Sequence, residues 1–256
     1  TGNIVGVAGA ICLGGPGAIF WMWVCGFLGM GTKFGEVTLA RRYAVTQAGE
    51  TWGGPMYMIT RGLSPRFHFL AVFYCAFGLI AAFGVGNATQ INAVVGAFNS
   101  LLSSWGCQER IWSNLVLGVV LAAGIGAVLS GGAEGIGRAV EKFVPWAAAG
   151  YVGLCLVVLL RCREAIPQAI RAIFLGAWNP RAVTGGCIGT FFRSLRTGCA
   201  RGIFTNEAGM GTASMAYAGA DTGSPVELGM LGLIEVFVDT LVICTLTALA
   251  VLISGV

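Results

Sequence analysis

Two stretches of this sequence combine glycine, polar side chains and an apolar surround in a way that could build a binding site. One is Thr1-Gly2-Asn3-Ile4-Val5-Gly6, and the other is Phe204-Thr205-Asn206-Glu207-Ala208-Gly209-Met210-Gly211-Thr212. A helix interrupted by a Gly-rich polar break exposes backbone N–H and C=O groups. At membrane depth that is tolerable only where the backbone lines a cavity or is covered by protein. Two such breaks suit a midplane site in which N–H groups face a carboxylate and carbonyls face a cation. The bland alternative is glycine used for helix–helix contact. Glu207 is the sharpest residue, because a carboxylate at that depth costs about 2.5 kcal/mol or more. It could hold a substrate ammonium or a cation, pair with Arg201, be buried in its protonated form, or serve only to fix the broken helix.

Other polar residues are weaker candidates. Asn87 and Gln90 share a face at i and i+3, and Asn92 points elsewhere; one face suits a cavity and the other an interhelical amide bond. Arg193, Arg196 and Arg201 fall within about 140° of each other on a helical wheel, as an outer mouth or as arginines snorkelling to headgroups. Glu235 and Asp239 lie at i and i+4. Glu235 reads as an interface residue favoured by a helix dipole, and Asp239 sits one turn deeper.

The elements that position these residues follow from composition. Of 256 residues, 56% are apolar, 10% are charged and 41 are Gly. Disorder, collagen and an ordinary soluble domain are excluded, which leaves an all-α polytopic membrane protein. The nine Cys make no CxxC pair and there is one His, His68, so a zinc site or disulfide scaffold is not expected. No GxSxG, HExxH or P-loop occurs, and the net charge of +4 is scattered, which argues against nucleic acid.

With about 20 apolar residues needed per span, Gly14-Gly15-Pro16 divides a half-length helix (4–13) from a full span (16–40). A polar loop follows at 43–68. Further spans are expected at 69–98, 111–129 and 143–160, with an amphipathic interfacial helix in 161–186. An interrupted apolar stretch at 187–220 and a last span at 228–256 complete the set. Lys33, Arg41, Arg42, Arg61 and Arg66 place the 41–68 loop in the cytoplasm, with Arg110 alone in the loop between the third and fourth spans. The chain opens and stops in apolar runs, so it reads as a fragment of a longer protein.

Several motifs resemble the alanine or glycine:cation symporter family over essentially the whole chain. They are Thr1-Gly2-Asn3-Ile4, Gly14-Gly15-Pro16-Gly17-Ala18-Ile19-Phe20-Trp21-Met22-Trp23 and Gly53-Gly54-Pro55-Met56-Tyr57. Gly86-Asn87 with Gln90 and Asn92, Arg201 through Gly211, and Val236-Phe237-Val238-Asp239-Thr240-Leu241 with Cys244-Thr245 complete the match.

The resemblance implies a LeuT-like inverted-repeat fold within the amino acid–polyamine–cation superfamily. The first repeat would span 1–160 and the second would begin at 187–256, joined by 161–186. It implies sodium-driven symport of a small neutral amino acid, alanine or glycine, across a plasma membrane, bacterial or archaeal. Its breaks would be Thr1–Ile4 and Phe204–Gly211, with Gly209 and Gly211 as broken-helix glycines. Gly2, Gln90, Phe204, Asn206, Glu207 and Met210 would bind substrate, and Asn3 and Thr205 would hold sodium.

Two places depart from the family pattern. Thr212-Ala213-Ser214 replaces a small hydroxyl residue, Ala and Pro. The loop Asp221-Thr222-Gly223-Ser224-Pro225-Val226-Glu227 lacks the usual basic residue and His. The competing readings are proton coupling through Glu207, an intramembrane enzyme using Asp239, and a non-transporting helical scaffold. The resemblance leaves out the eighth helix, so these 256 residues alone are not expected to transport. Partners would be the amino acid and membrane lipid.

Overall fold

A computed structural model describes residues 1–47, 50–106, 111–178, 187–220 and 223–254. The chain is helical nearly throughout. A wide five-residue turn, Gly2–Gly6, runs without interruption into α1 (Val7–Gly14). Gly15 ends α1 at φ +74°, and Pro16 opens α2 (Gly17–Arg42), the arrangement that Gly and Pro favour at helix ends. The two helices read from the sequence on either side of Gly14-Gly15-Pro16 are therefore present, but the expected break at Thr1–Ile4 is a widened helical turn. Such π turns place hydrogen bonds five residues apart and occur at functional sites.

The segment expected as a plain polar loop is more ordered than that. It holds the antiparallel pair β1 (Val45–Gln47) and β2 (Glu50–Trp52), with Thr46 opposite Thr51. Helix α3 (Pro55–Gly62) follows, with Pro in its first turn. The period-2 signal of a three-residue strand is too short to distinguish from loop.

Helix α4 (Phe69–Ala81) passes through a second wide turn, Ala82–Ala88, into α5 (Thr89–Ser104). Helix α6 (Ile111–Leu129) matches the expected span, and α7 (Gly132–Arg161) starts earlier than expected and carries Pro145 inside it. Helix α8 (Ile166–Trp178) is the amphipathic element, while Pro180 and Arg181 of its expected segment lie outside the described residues, as does Arg110. Helices α9 (Cys187–Asn206) and α10 (Thr212–Ala218) flank the second expected break. Helix α11 (Pro225–Val236), a third wide turn (Phe237–Ile243) and α12 (Cys244–Ser254) form the last span. That span begins at Pro225 because Ser224 and Glu227 make a reciprocal capping box.

Among the described residues, four segments are long and apolar enough to cross a membrane: Pro65–Ser104, Ile111–Leu129, Gly135–Arg161 and Pro225–Ser254. Helix α2 has the length for it, at 26 residues, but carries Lys33, Glu36, Arg41 and Arg42.

The chain forms two compact units, residues 1–80 with 158–256, and residues 81–157. In the smaller unit, Ile111, Trp112 and Trp146 are exposed, as side chains facing lipid are. In the larger unit, Val7, Ala10, Ala18, Ile19, Met22, Ile173, Cys244 and Ala248 make the core, contributed by α1, α2, α8 and α12. Small residues let these helices approach closely. A Cβ on Gly198 of α9 would lie 2.7 Å from Trp21 Cβ, and one on Gly26 would lie 2.7 Å from Thr240 Cγ2.

Helix α8 buries Ala169, Ile173 and Ala177, while Ile170 and Phe174 are exposed. Its apolar stripe thus divides between a protein-facing row and an outward row. It packs against α2, where Phe20 meets Phe174 and Trp178 edge-on.

Candidate functional site

Helix α9 stops at Asn206 because the next residues leave helical space. Glu207 has φ +54°, Gly209 +82° and Gly211 +88°. Glycine adopts such angles freely, whereas a glutamate there is uncommon and strained. The chain still turns tightly: Glu207 N–H donates to Ile203 O at 2.9 Å, and Met210 N–H to Glu207 O at 3.2 Å. Asn206 Oδ1 caps the turn by accepting from Ala208 N–H at 3.0 Å.

A helix end leaves carbonyls and N–H groups that need partners, and α2 supplies two of them. Lys33 Nζ donates to Asn206 O at 3.0 Å. One turn on, Glu36 Oε2 accepts from Gly209 N–H at 2.7 Å. Tyr74 Oη donates to Met210 O at 3.3 Å. Lys33 is fully buried and also reaches Glu235 Oε1 of α11 at 3.5 Å. Glu235 accepts from Tyr217 Oη of α10 at 2.8 Å on its other oxygen. The i and i+3 spacing of Lys33 and Glu36 puts both on one face of α2, and Gly29, a turn earlier, lets Asn206 come close.

This geometry corrects three sequence readings. Lys33 is a buried member of the site and not part of a cytoplasmic flank, which leaves Arg41, Arg42, Arg61 and Arg66 for the orientation argument. Arg41 is itself engaged, donating to Ala218 O at 2.8 Å. Glu235 is no helix N-terminal interface residue; it lies ten residues into the span and pairs with Lys33 and Tyr217. Glu207 forms no ion pair with Arg201 among the described residues. It is exposed and accepts from Thr212 Oγ1 at 2.7 Å.

The wide turn at Gly2–Gly6 lies directly against the end of α9. A Cβ on Gly2 would sit 2.9 Å from Thr205 Oγ1 and 3.1 Å from Thr205 Cα, so any larger residue would force Thr205 to shift. Asn3 Nδ2 donates to Asp239 Oδ1 of the last wide turn at 2.5 Å. Thr240 Oγ1 lies 3.5 Å from Asp239 Oδ2. Thr205 Oγ1 and Asn206 Nδ2 are buried without an oxygen or nitrogen partner, and Glu36 Oε1 is likewise unpartnered. Cys244 lies within hydrogen-bond reach of the Thr205 hydroxyl. Gly2 thus lies against Thr205 and Asn3 against Asp239, while the Asn206 side chain turns toward Gly29 of α2.

Of the remaining expected site residues, Phe204 is half-buried and Met210 is exposed. Gln90 lies on α5 in the smaller unit and is exposed there. Asn87 Nδ2 donates to Ala82 O at 2.9 Å within its own wide turn. Lys33, Glu36 and Tyr217 were missed from sequence. The available signal was two opposite charges three residues apart inside an otherwise apolar 26-residue helix.

A chain helical nearly throughout, with four apolar segments long enough to cross a membrane among its described residues, belongs to the class of all-α polytopic membrane proteins. The sequence profile described as the sodium:alanine symporter family matches residues 1–256. The chain belongs to that family. It is 43% identical over its whole length to the "Sodium/alanine symporter AgcS" of Methanococcus maripaludis, covering 54% of that protein. It is 37% identical, over 99% of the chain, to the "Probable sodium/glutamine symporter GlnT" of Bacillus subtilis, covering 50% of it. The "Amino-acid carrier protein AlsT" of the same organism is 37% identical over the whole chain, which covers 52% of it. The chain thus spans about half the length of the curated relatives it matches.

Proposed function

We propose that this chain forms part of a sodium-coupled symporter of small neutral amino acids, working by alternating access in a plasma membrane. The observation that carries the reading is the α9 break. It is held open by Lys33 and Glu36, and beside Gly2 it leaves Thr205 Oγ1 and Asn206 Nδ2 buried without an oxygen or nitrogen partner. Carbonyls at the end of α9 and the Glu207 carboxylate suit a substrate ammonium. Backbone N–H groups near Gly2 suit its carboxylate.

Sodium, the co-transported ion, takes oxygen ligands. The Thr205 hydroxyl and the Asp239 carboxylate offer them, next to a glycine that keeps the space open. Asn3 donates from Nδ2 to Asp239, which leaves its Oδ1 as the oxygen it could offer a sodium ion. Phe204, Met210 and, from the family resemblance alone, Gln90 would line the pocket and limit side-chain size. The same resemblance supports a LeuT-like inverted repeat, with 1–160 and 187–256 in successive repeats, and a cytoplasmic 41–68 loop.

The test is uptake of labelled alanine, glycine and glutamine by the full-length protein in liposomes, with the sodium gradient on and off. Alanine or glycine uptake that needs sodium is expected. Uptake driven by a pH gradient in sodium-free buffer would overturn sodium coupling, and preference for glutamine would overturn the substrate class. Glu207→Gln is expected to weaken substrate affinity with sodium dependence intact. Unchanged affinity would leave Glu207 as a fixture of the break only.

A further inference from the structure

The stretch from Arg41 to Leu70 carries four arginines, Arg41, Arg42, Arg61 and Arg66, against one acid, Glu50. Most of the chain's net charge of +4 is thus concentrated there. Arg41 is taken up by the Ala218 carbonyl. Arg42, Arg61 and Arg66 are exposed, and none of them has an ion-pair or hydrogen-bond partner among the described residues. Packing holds their backbones in place. Helix α2 ends at Arg42, and the next residue, Tyr43, lies against the end of α3, where a Cβ on Gly62 would be 3.1 Å from Tyr43 Cζ. Arg42 and Arg61 each precede one partner of that contact, so the two arginines start from one place. Before α3, Gly53 abuts Ala218 and the Ala40 carbonyl, and Gly54 abuts Met215. Helix α3 is therefore fixed to α2 and α10 at both of its ends. Arg66 follows in the short turn Pro65–Phe67. The membrane-crossing segment Pro65–Ser104 begins at that turn, which sets Arg66 at the depth of lipid headgroups. Trp52, Leu63 and Phe67 are exposed in the same stretch.

We propose that α3 and the turns flanking it form a docking platform for an acidic phospholipid, with Arg42, Arg61 and Arg66 on the phosphate and Trp52, Leu63 and Phe67 against the glycerol and upper acyl chain. Charge complementarity selects this occupant. Three uncompensated guanidiniums at one edge of a span repel one another until an anion sits among them, and their planar forks match phosphate oxygens. A small soluble anion would neutralise them but leave the apolar side chains uncovered. Tryptophan with basic residues at the membrane boundary is the pattern that anchors to headgroups. Each arginine near an anionic surface strengthens attachment about fivefold, an effect that fades within a Debye length.

The test uses the full-length protein in dilute mixed micelles carrying brominated phosphatidylglycerol or brominated phosphatidylcholine. The readout is bromine quenching of Trp52, taken as the difference between each protein and the same protein with Trp52→Phe. Phosphatidylglycerol is expected to quench saturably at a concentration at least tenfold below phosphatidylcholine, with the preference weakening as salt rises. Arg61→Gln with Arg66→Gln should weaken phosphatidylglycerol binding about twentyfold, and Arg66→Gln alone about fivefold. Arg61→Lys with Arg66→Lys should keep most of the preference. Arg171→Gln, at an exposed position of α8, should leave it unchanged. Equal quenching by the two lipids would overturn the proposal, as would wild-type preference in the glutamine variants or an equal loss in Arg171→Gln. Displacement of the lipid by inorganic phosphate at matched ionic strength would make a free phosphate the occupant and overturn it too. The measurement needs no uptake, so its outcome is independent of the amino-acid transport reading.

Discussion

Replacing Lys33 by Met removes the ammonium and keeps most of the aliphatic stem, which is fully buried in α2. Two interactions go with it, and they differ in worth. The bond to Asn206 O, at 3.0 Å, is buried. A hydrogen bond to a charged donor contributes about 1.5–3 kcal/mol, and its loss orphans a buried carbonyl. The contact with Glu235 is longer, at 3.5 Å, and the Glu235 side chain is 46% exposed. Such a half-exposed pair contributes about 0–1 kcal/mol after solvent screening. Lys33→Met should therefore cost about 2–3 kcal/mol, most of it from the break. Glu235→Gln should cost under about 1 kcal/mol, because the amide can still accept from Tyr217. The assay is denaturant unfolding of the full-length protein in mixed micelles, with the two single variants and the double variant closing a cycle. The expected coupling is about 1 kcal/mol or less. If Glu235→Gln cost as much as Lys33→Met and the coupling equalled either, the ion pair would be the anchor and the argument from the Asn206 carbonyl would fail.

Gly2→Ala places a methyl against the backbone of Thr205, so amino-acid binding should fall at least tenfold while the unfolding free energy falls by only about 1–3 kcal/mol; unaltered binding would remove Gly2 from the site. Glu36→Gln keeps an acceptor for Gly209 N–H but loses its charge, so a loss of about 1 kcal/mol is expected in thermal unfolding, and a loss several times larger would mean that Glu36 has a further partner. Asp239→Asn should raise the half-saturating sodium concentration about tenfold with little change at saturating sodium, measured as uptake against sodium; no change would remove the carboxylate from the ion's surroundings.

Much of the architecture is legible in the residues, because helix length and apolarity are local properties. The Gly14-Gly15-Pro16 division, the 111–129 span and the polar break after Asn206 all follow from short stretches of chain. What escaped notice was set by partners far away in sequence. Lys33 looks like a basic residue trailing toward Arg41 and Arg42 until α9 is packed against α2, which brings the Asn206 carbonyl, 173 residues distant, onto its ammonium. Glu235 meets Lys33 across 202 residues. The wide turns have no side-chain signature, since they insert one residue into a run of otherwise ordinary apolar composition. Glu207 was conspicuous as a charge, but its left-handed backbone was not readable, because only the two glycines beside it advertise that conformation.

The wide turn at Phe237–Ile243 has a consequence for mutation. Each residue of an α-helix advances the facing direction by about 100°, and a turn that closes five residues apart offsets everything beyond it by about that angle. The last span is therefore two helices sharing one axis with different angular phases. The earlier phase turns Glu235 toward Lys33, and the later one turns Thr245 Oγ1 to Trp23 Nε1, 2.8 Å away. A substitution in the turn leaves both phases alone. Deleting one residue there would merge them into a single phase, so that the span could keep Glu235 on Lys33 or Thr245 on Trp23, not both.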